Sequence, residues 1–318
     1  MSDVKNLVDK ITRNIEKVII GKKNEIQLVL AVFFAGGHVL LEDVPGTGKT
    51  MLARVLAKSF DLSFSRIQFT PDLLPSELTG INFYSPKTGD FTFRKGSLFA
   101  NIVLADEINR ATPRTQSGLL ESMEECQISV DGVTTALGRP YFVIATQNPI
   151  ETQGTFPLPE AQLDRFLVQL NLGYPSTAES VQAVKNNVTS APFSNVEPVC
   201  DVKDFEKISA SVDDIFIHDD VYAYIVALAE ATRDHASIQL GISTRGAISL
   251  AKLSRVHALI QGREFVTPSD VQFLLPYVFS HRIMLRGGLH GRTSKVQALL
   301  EEIVASVKTP VENWKGNN

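Results

Sequence analysis

One stretch constrains this chain more than any other: Glu42-Asp43-Val44-Pro45-Gly46-Thr47-Gly48-Lys49-Thr50. It follows His38-Val39-Leu40-Leu41, an apolar run that reads as a short buried strand. It precedes Met51 to Lys58, which has helical spacing and good helix formers. Strand, glycine-bearing loop and helix make the P-loop arrangement. Gly46 and Gly48 let the backbone turn its N–H groups around a polyanion, and the helix starting near Lys49 aims its positive end at the same point. Lys49 would reach the β and γ phosphates of a nucleotide, and Thr50 would offer its hydroxyl to Mg²⁺.

The stretch departs from G-x-x-x-x-G-K-[ST] at one position, where Asp43 stands in place of the first glycine. Alone it could be a Gly/Pro turn ahead of a helix. A second element changes the balance. Ile102-Val103-Leu104-Ala105-Asp106-Glu107 is a buried strand ending in two acids, and ligands of open α/β sheets sit at the carboxyl ends of strands. Asp106 would hold Mg²⁺ through its water shell, and Glu107 would orient an attacking water. Together the two elements imply a nucleotide-hydrolysing site.

The chain has 318 residues, 44% hydrophobic and 21% charged, which suits two domains or one domain with a large appendage. A net charge of −4 argues against a dominant non-specific grip on nucleic acid. The polar, amphipathic start at Met1 to Lys17 does not read as a signal peptide, and the apolar run Leu28 to Ala35 is too short for a membrane span. Cys126 and Cys200 lie far apart and read as reduced thiols of a cytoplasmic protein. The six histidines have no metal-ligand spacing.

Along the chain, Val4, Leu7, Val8, Ile11 and Ile15 predict a first helix. Val18-Ile19-Ile20-Gly21-Lys22 follows as a turn whose residues would flank a flat base, although core packing explains them equally well. Glu25 to Ala35 is a second helix ended by Gly36-Gly37. A β segment at 65–69 and a short helix at 72–79 follow, then two hairpins, about 81–94 and 127–137, the second with an Asp131-Gly132 turn. Between the hairpins a helix is expected at Thr115 to Glu124. Tyr141 to Thr146 is another buried strand, leading to Asn148, an amide placed to reach a γ-phosphate or merely to make an Asx turn before Pro149. Leu158 to Phe166 reads as a short helix carrying Arg165, and Phe166 to Leu170 as a fifth strand. Helices then dominate, at 177–188, 201–210, 219–234, 244–261, 268–280 and 293–307, with a frayed end at Val311 to Asn318. Arg245 falls in the first turn of one of them, where a cation opposes the helix dipole.

Pro45 to Thr50, Leu104 to Ala111, Ala145 to Pro149, Leu158 to Phe166 and Ser243-Thr244-Arg245, in this order and spacing, resemble the MoxR family of AAA+ ATPases over about residues 18–310. The resemblance implies an α/β fold: an AAA+ P-loop core with a five-stranded parallel sheet flanked by helices, over residues 1–175, then an all-helical lid over 176–318. It implies ATP as substrate with Mg²⁺, contacted by Pro45, Gly46, Thr47, Gly48, Lys49, Thr50 and Met51, and by Ile20 and Gly21. Asp106 and Glu107 look like Walker B, Asn148 like sensor 1, Arg165 like the arginine finger and Arg245 like sensor 2. The hairpins resemble the helix-2 and pre-sensor-1 inserts of this branch.

The family implies a homo-oligomer, usually a hexameric ring, with Arg165 serving the neighbour's site. It also implies a chaperone-like role with a partner carrying a von Willebrand factor A domain, acting on a client protein. A metal-chelatase motor subunit shares the branch and stays open as an alternative. A DNA-acting AAA+ protein is disfavoured by the acidic balance, a GTPase by the lack of N-K-x-D, and a small-molecule kinase would need no ring.

Overall fold

The computed structural model describes residues 2–44, 46–87, 89–148, 154–189, 192–287 and 292–310. Pro45, Pro149 and the tail from Val311 therefore lie outside the described residues. The strands in chain order are β1 (Val39–Glu42), β2 (Phe64–Gln68), β3 (Gly80–Ser85), β4 (Asp90–Lys95), β5 (Ile102–Asp106), β6 (Gln127–Val130), β7 (Val133–Ala136), β8 (Phe142–Gln147) and β9 (Val168–Leu170), followed by the short β10 (Ile238–Leu240) and β11 (Met284–Leu285).

Five of them form one parallel sheet in the order β2-β5-β8-β1-β9. Its inner strands are near-continuous apolar runs: Val39, Leu40 and Leu41, Ile102 to Ala105, and Phe142 to Ala145 are all buried. Such runs, rather than alternation, are what a sheet covered by helices on both faces demands. The register pairs Gln68 with Asp106, Ala105 with Ala145, Leu41 with Thr146 and Glu42 with Gln147, so the polar ends of four strands emerge side by side. In the core Phe33 packs edge-on against Phe60 and at a tilt against Phe142 and Phe205, with ring centroids 4.7–5.1 Å apart.

His38 enters this core just ahead of β1. Its Nδ1 accepts from the Val143 amide (3.1 Å), which leaves Nε2 protonated to donate to the Met123 carbonyl (3.0 Å). Burial pushes its pKa down from 6.5 to about 4, against a smaller upward pull from the Met123 carbonyl. Above pH 6.5 neither folded nor unfolded chain protonates this ring, and its contribution to stability is fully present. As pH falls through the window from 6.5 to about 4, the unfolded chain takes up a proton that the fold refuses. That removes about 3 kcal/mol of stability. Urea unfolding across this window should show a smaller loss for His38→Gln than for the unaltered chain; parallel pH profiles would contradict this.

The two hairpins form as the turn residues require. β6 and β7 pair antiparallel across Asp131 (φ +51°) and Gly132 (φ +80°), two consecutive left-handed residues that suit an Asp-Gly turn. β3 and β4 pair from Gly80↔Lys95 to Ser85↔Asp90, and Asn82 reaches across to Asp131 of the other hairpin (2.8 Å). Apolar side chains at the first hairpin are exposed, with Phe91 at 74%.

The chain divides into two compact units, Asn6–Ser209 and Ala210–Asn318, the latter together with the first five residues. The change of pattern expected at residue 175/176 thus falls inside the first unit. The helix Thr177–Thr189 and all but the last two residues of Val202–Ser211 lie on its side of the division, where the segment between them is tied to the core. Asn14 donates to the Glu197 carbonyl (2.9 Å), Val199 donates to Ser59 (2.9 Å), and Phe205 joins the Phe33 cluster.

Among the described residues, the second unit is helical apart from the antiparallel β10–β11 ladder and an isolated parallel bridge between Phe216 and Phe265. Its helices Asp219–Asp234, Thr244–Ile260, Pro268–Phe279 and Arg292–Ser306 fall close to the positions read from periodicity. Asp270 organises it. Burial pushes this carboxyl's pKa up, but hydrogen bonds from His257, Arg263 and Thr267 outweigh that and hold it well below the usual carboxylate range.

Candidate functional site

The glycine loop leaves β1 and enters the helix Lys49–Ser59. Gly46 (φ +88°) and Gly48 (φ +90°) are both left-handed, a conformation that costs any residue with a Cβ. Gly48 is the helix N-cap and no side chain caps the first turn, so the orphan N–H groups there remain available to an acceptor. Lys49 donates from Nζ to the carbonyls of Asp43 (2.8 Å) and Val44 (3.0 Å), which folds its ammonium over the loop. Thr50 and Met51 follow it in the first turn, both partly buried.

Asp43, the departure from the glycine pattern, has a structural reason. Its buried carboxylate accepts from the amide of Val44 (3.0 Å) through one oxygen, and from those of Leu172 (2.9 Å) and Gly173 (3.0 Å) through the other. It clamps the start of the loop to the segment leaving β9. Asp43 is not in a left-handed conformation, so a glycine there would gain nothing. Asp43→Gly, though it restores the sequence pattern, should cost roughly 2–4 kcal/mol by removing the acceptor of the Val44 and Leu172 amides, while Gly173 keeps Asn171 Oδ1 at 2.6 Å. Its denaturation midpoint should fall; an unchanged midpoint would contradict the clamp.

At the end of β5, Asp106 accepts from Thr146 Oγ1 through Oδ1 (2.7 Å) and pairs with Arg66 through Oδ2 (2.7 Å). Thr146 in turn accepts from the Glu107 amide (2.8 Å), so one hydroxyl on β8 fixes both acids. Glu107 sits at φ +56°, ψ +51°, a left-handed conformation in a residue with a Cβ. Strain of order 1–2 kcal/mol held at such a point marks a place where the chain is forced to aim a side chain. The Glu107 carboxylate accepts from Gln68 (2.7 Å) and pairs with Arg110 (3.2 Å).

Asn148 is buried just beyond β8, the strand that lies between β1 and β5. The glycine loop, Asn148 and the acid pair therefore leave the sheet from three adjacent strands, whose spacing is about 4.8 Å. Arg165 follows the one-turn helix Glu160–Leu163, shorter than the sequence suggested, and pairs with Glu124 (3.2 Å) at the end of helix Pro113–Glu125. Arg245 belongs to the second unit, exposed in the first turn of helix Thr244–Ile260, whose N-cap Ser243 accepts from Gly246 (3.2 Å).

Ile20 is partly buried and Gly21 exposed, while neighbouring Ile19 is the residue whose side chain comes to 3.7 Å of a Cβ placed on Gly48. Gly21 (φ +75°) lies against the Glu179 side chain, and a larger residue would have to displace that flexible carboxylate and adopt a left-handed backbone. Sequence reasoning passed over Arg66, Gln68 and Thr146 as site residues, and it placed Ile19 only within the turn that would flank a base. Thr146 carried a usable signal, a hydroxyl at the last turn outward of an otherwise apolar strand. The others are legible only once β2 is known to sit beside β5.

The comparisons with known proteins agree with this geometry. Residues 38–168 match the family model described as ATPase family associated with various cellular activities (AAA), and residues 230–303 match an AAA lid domain. The chain is 48% identical to the uncharacterized protein YeaC of Bacillus subtilis, over 98% of this chain and 97% of that protein. It is 35% identical to Chaperone MoxR1 of Mycobacterium tuberculosis, over 94% and 81% of the two chains. A crystal structure of a protein from Cytophaga hutchinsonii, proposed to be an ATPase, superposes with a TM-score of 0.88 at 34% identity, over 97% of this chain and 96% of that one. A nucleotide-type loop, an acid-ended strand in the same sheet, a five-stranded parallel sheet and likeness to a MoxR chaperone over 94% of this chain converge: the chain belongs to the MoxR family of AAA+ ATPases.

Proposed function

We propose that this protein is a Mg²⁺-dependent ATPase that works as a homo-oligomeric ring, with ATP bound at the glycine loop and each site completed by Arg165 of the neighbouring copy. The observation that supports the proposal is the shared exit of three adjacent strands: the loop with Lys49 and Thr50, Asn148, and Asp106 with Glu107 leave the sheet side by side. The donor set fits a polyphosphate with a hard cation. Amides of an uncapped helix start, an ammonium and a hydroxyl would meet it from the loop after β1, and two carboxylates from the end of β5. Gly46 and Gly48 in left-handed conformations are what such a cradle requires.

When bound, Mg²⁺ would neutralise charge on the transferring phosphoryl group. Thr50 and Asp106 are the residues that would hold it. Lys49 would leave its two carbonyl partners for the phosphates. Glu107 would orient the attacking water and take its proton, exchanging a contact with Gln68 or Arg110 to do so. Asn148 would fix that water or a γ-oxygen, and Arg165 would meet developing charge from the next copy. Ile20, Gly21 and Met51 would border the nucleotide, and Arg245 would act from the second unit. Lys49→Ala should lower ATP affinity at least about tenfold in equilibrium binding, the loss of a charge-assisted contact; unchanged affinity would remove Lys49 from the phosphate site.

Likeness to proteins named Chaperone MoxR1 and Protein MoxR supports a wider role. The ring would couple ATP turnover to remodelling a client protein, alongside a partner with a von Willebrand factor A domain, in the cytoplasm. No helix among the described residues is long and apolar enough to cross a membrane. Co-purification of a tagged Glu107→Gln protein with and without Mg·ATP tests this part. A nucleotide-dependent partner is expected, and a pull-down unaltered by nucleotide would contradict it.

A further inference from the structure

A cleft of about 660 Å³ lies between β2 and the base of the β3–β4 hairpin. Its walls include Arg66, Gln68, Glu77, Ile81, Arg94 and Lys95. β2 is an edge strand of the sheet. The Phe69 amide and the Ser63 carbonyl bond to β5 (2.8 and 3.0 Å), so alternation turns the main-chain groups of Arg66 and Gln68 to the outer edge, which is the cleft side. The wall therefore offers an unpaired strand edge together with three cations. Among the described lining residues the one carboxylate is Glu77, one oxygen of which already accepts from the Leu74 amide (3.2 Å). Lys95 is steadied over the Phe99 ring, its Nζ 5.4 Å from the centroid.

The floor of the cleft is wired to the candidate site. Arg66 pairs with Asp106 (2.7 Å) and donates to Gln68 Oε1 (2.9 Å), and Gln68 donates to Glu107 (2.7 Å). A carboxylate arriving in the cleft would compete with Asp106 for the same guanidinium.

We propose that this cleft binds an extended acidic peptide segment of a protein partner, laid along the outer edge of β2, and that its carboxylates draw Arg66 from Asp106 and so alter ATP turnover. Main-chain pairing supplies the grip and the cations read the acidic side chains. An open strand edge favours a peptide over a nucleic acid, which has no complementary ladder to offer. The binding step stands by itself; the coupling step rests on the role proposed above for Asp106.

The test uses the full chain and a fluorescent hexaglutamate peptide, with hexalysine as control and a single-stranded oligonucleotide as competitor. Binding should be seen for hexaglutamate only. It should weaken at least about tenfold in the exposed double variant Arg94→Glu, Lys95→Glu and with added salt. ATP turnover of the unaltered chain should shift at least about twofold on adding the peptide, and that of the double variant should not. No peptide binding by a chain that hydrolyses ATP normally would overturn the inference and leave the ATPase reading intact. Equal binding by the double variant would overturn it as well. An oligonucleotide that binds tighter than the peptide and is lost in the same variant would reassign the cleft to nucleic acid. Binding with no change in turnover would overturn the coupling. A chain that binds peptide yet never hydrolyses ATP would contradict the ATPase reading instead.

Discussion

Arg165→Ala is expected to lower ATP turnover by roughly 10³-fold or more while leaving ATP affinity within about twofold, the behaviour of an arginine that acts on charge developing in the transition state. Within its own chain Arg165 is partnered by Glu124 at 3.2 Å, both side chains partly exposed. A surface pair of this kind contributes little to stability, so the variant should fold normally. Arg165→Lys should recover only part of the rate, because an ammonium lacks the planar fork that meets two phosphoryl oxygens at once. Mixing Arg165→Ala with Lys49→Ala adds a test of sharing. If each site draws on two copies, some mixed sites hold an intact Lys49 facing an intact Arg165, and turnover should reappear. Turnover by Arg165→Ala at the parent rate would remove the residue from the site.

Glu107→Gln is the second large effect, a loss of about 10²–10⁴-fold in turnover with ATP still bound. The substitution keeps size and can still accept from Gln68, but it removes the charge that draws a proton from water. The backbone conformation at Glu107, φ +56°, should survive, since Thr146 holds its amide and not its side chain. Thermal stability should therefore stay near that of the parent while turnover collapses. A fully active Glu107→Gln protein would contradict the water-orienting role, and the strain at this residue would then need another explanation.

Much of the sheet was legible because parallel strands covered on both faces must be continuous apolar runs, as at Val39 to Leu41, Ile102 to Ala105 and Phe142 to Ala145. The Asp131-Gly132 turn was equally legible, since its chemistry is local. Asp43 was not. Its role depends on Leu172 and Gly173, far along the chain, brought alongside by β9 pairing with β1. Arg66 and Gln68 escaped notice for the same reason: a half-buried strand gives no sign of which polar neighbour it will meet. The division of the chain at Ser209 rather than near residue 175 follows from Phe205 packing on Phe33, again a long-range contact that periodicity does not encode. Ile19 rather than Ile20 approaches Gly48, a one-residue difference set by how the turn before Lys22 is wound.

The most direct measurement is the solution mass of Glu107→Gln by sedimentation, with and without Mg·ATP. A shared ATP site predicts a nucleotide-dependent shift from small species to a ring, expected at about six subunits. A particle that remains a monomer at saturating ATP would contradict the trans placement of Arg165, and with it the ring ATPase proposed here.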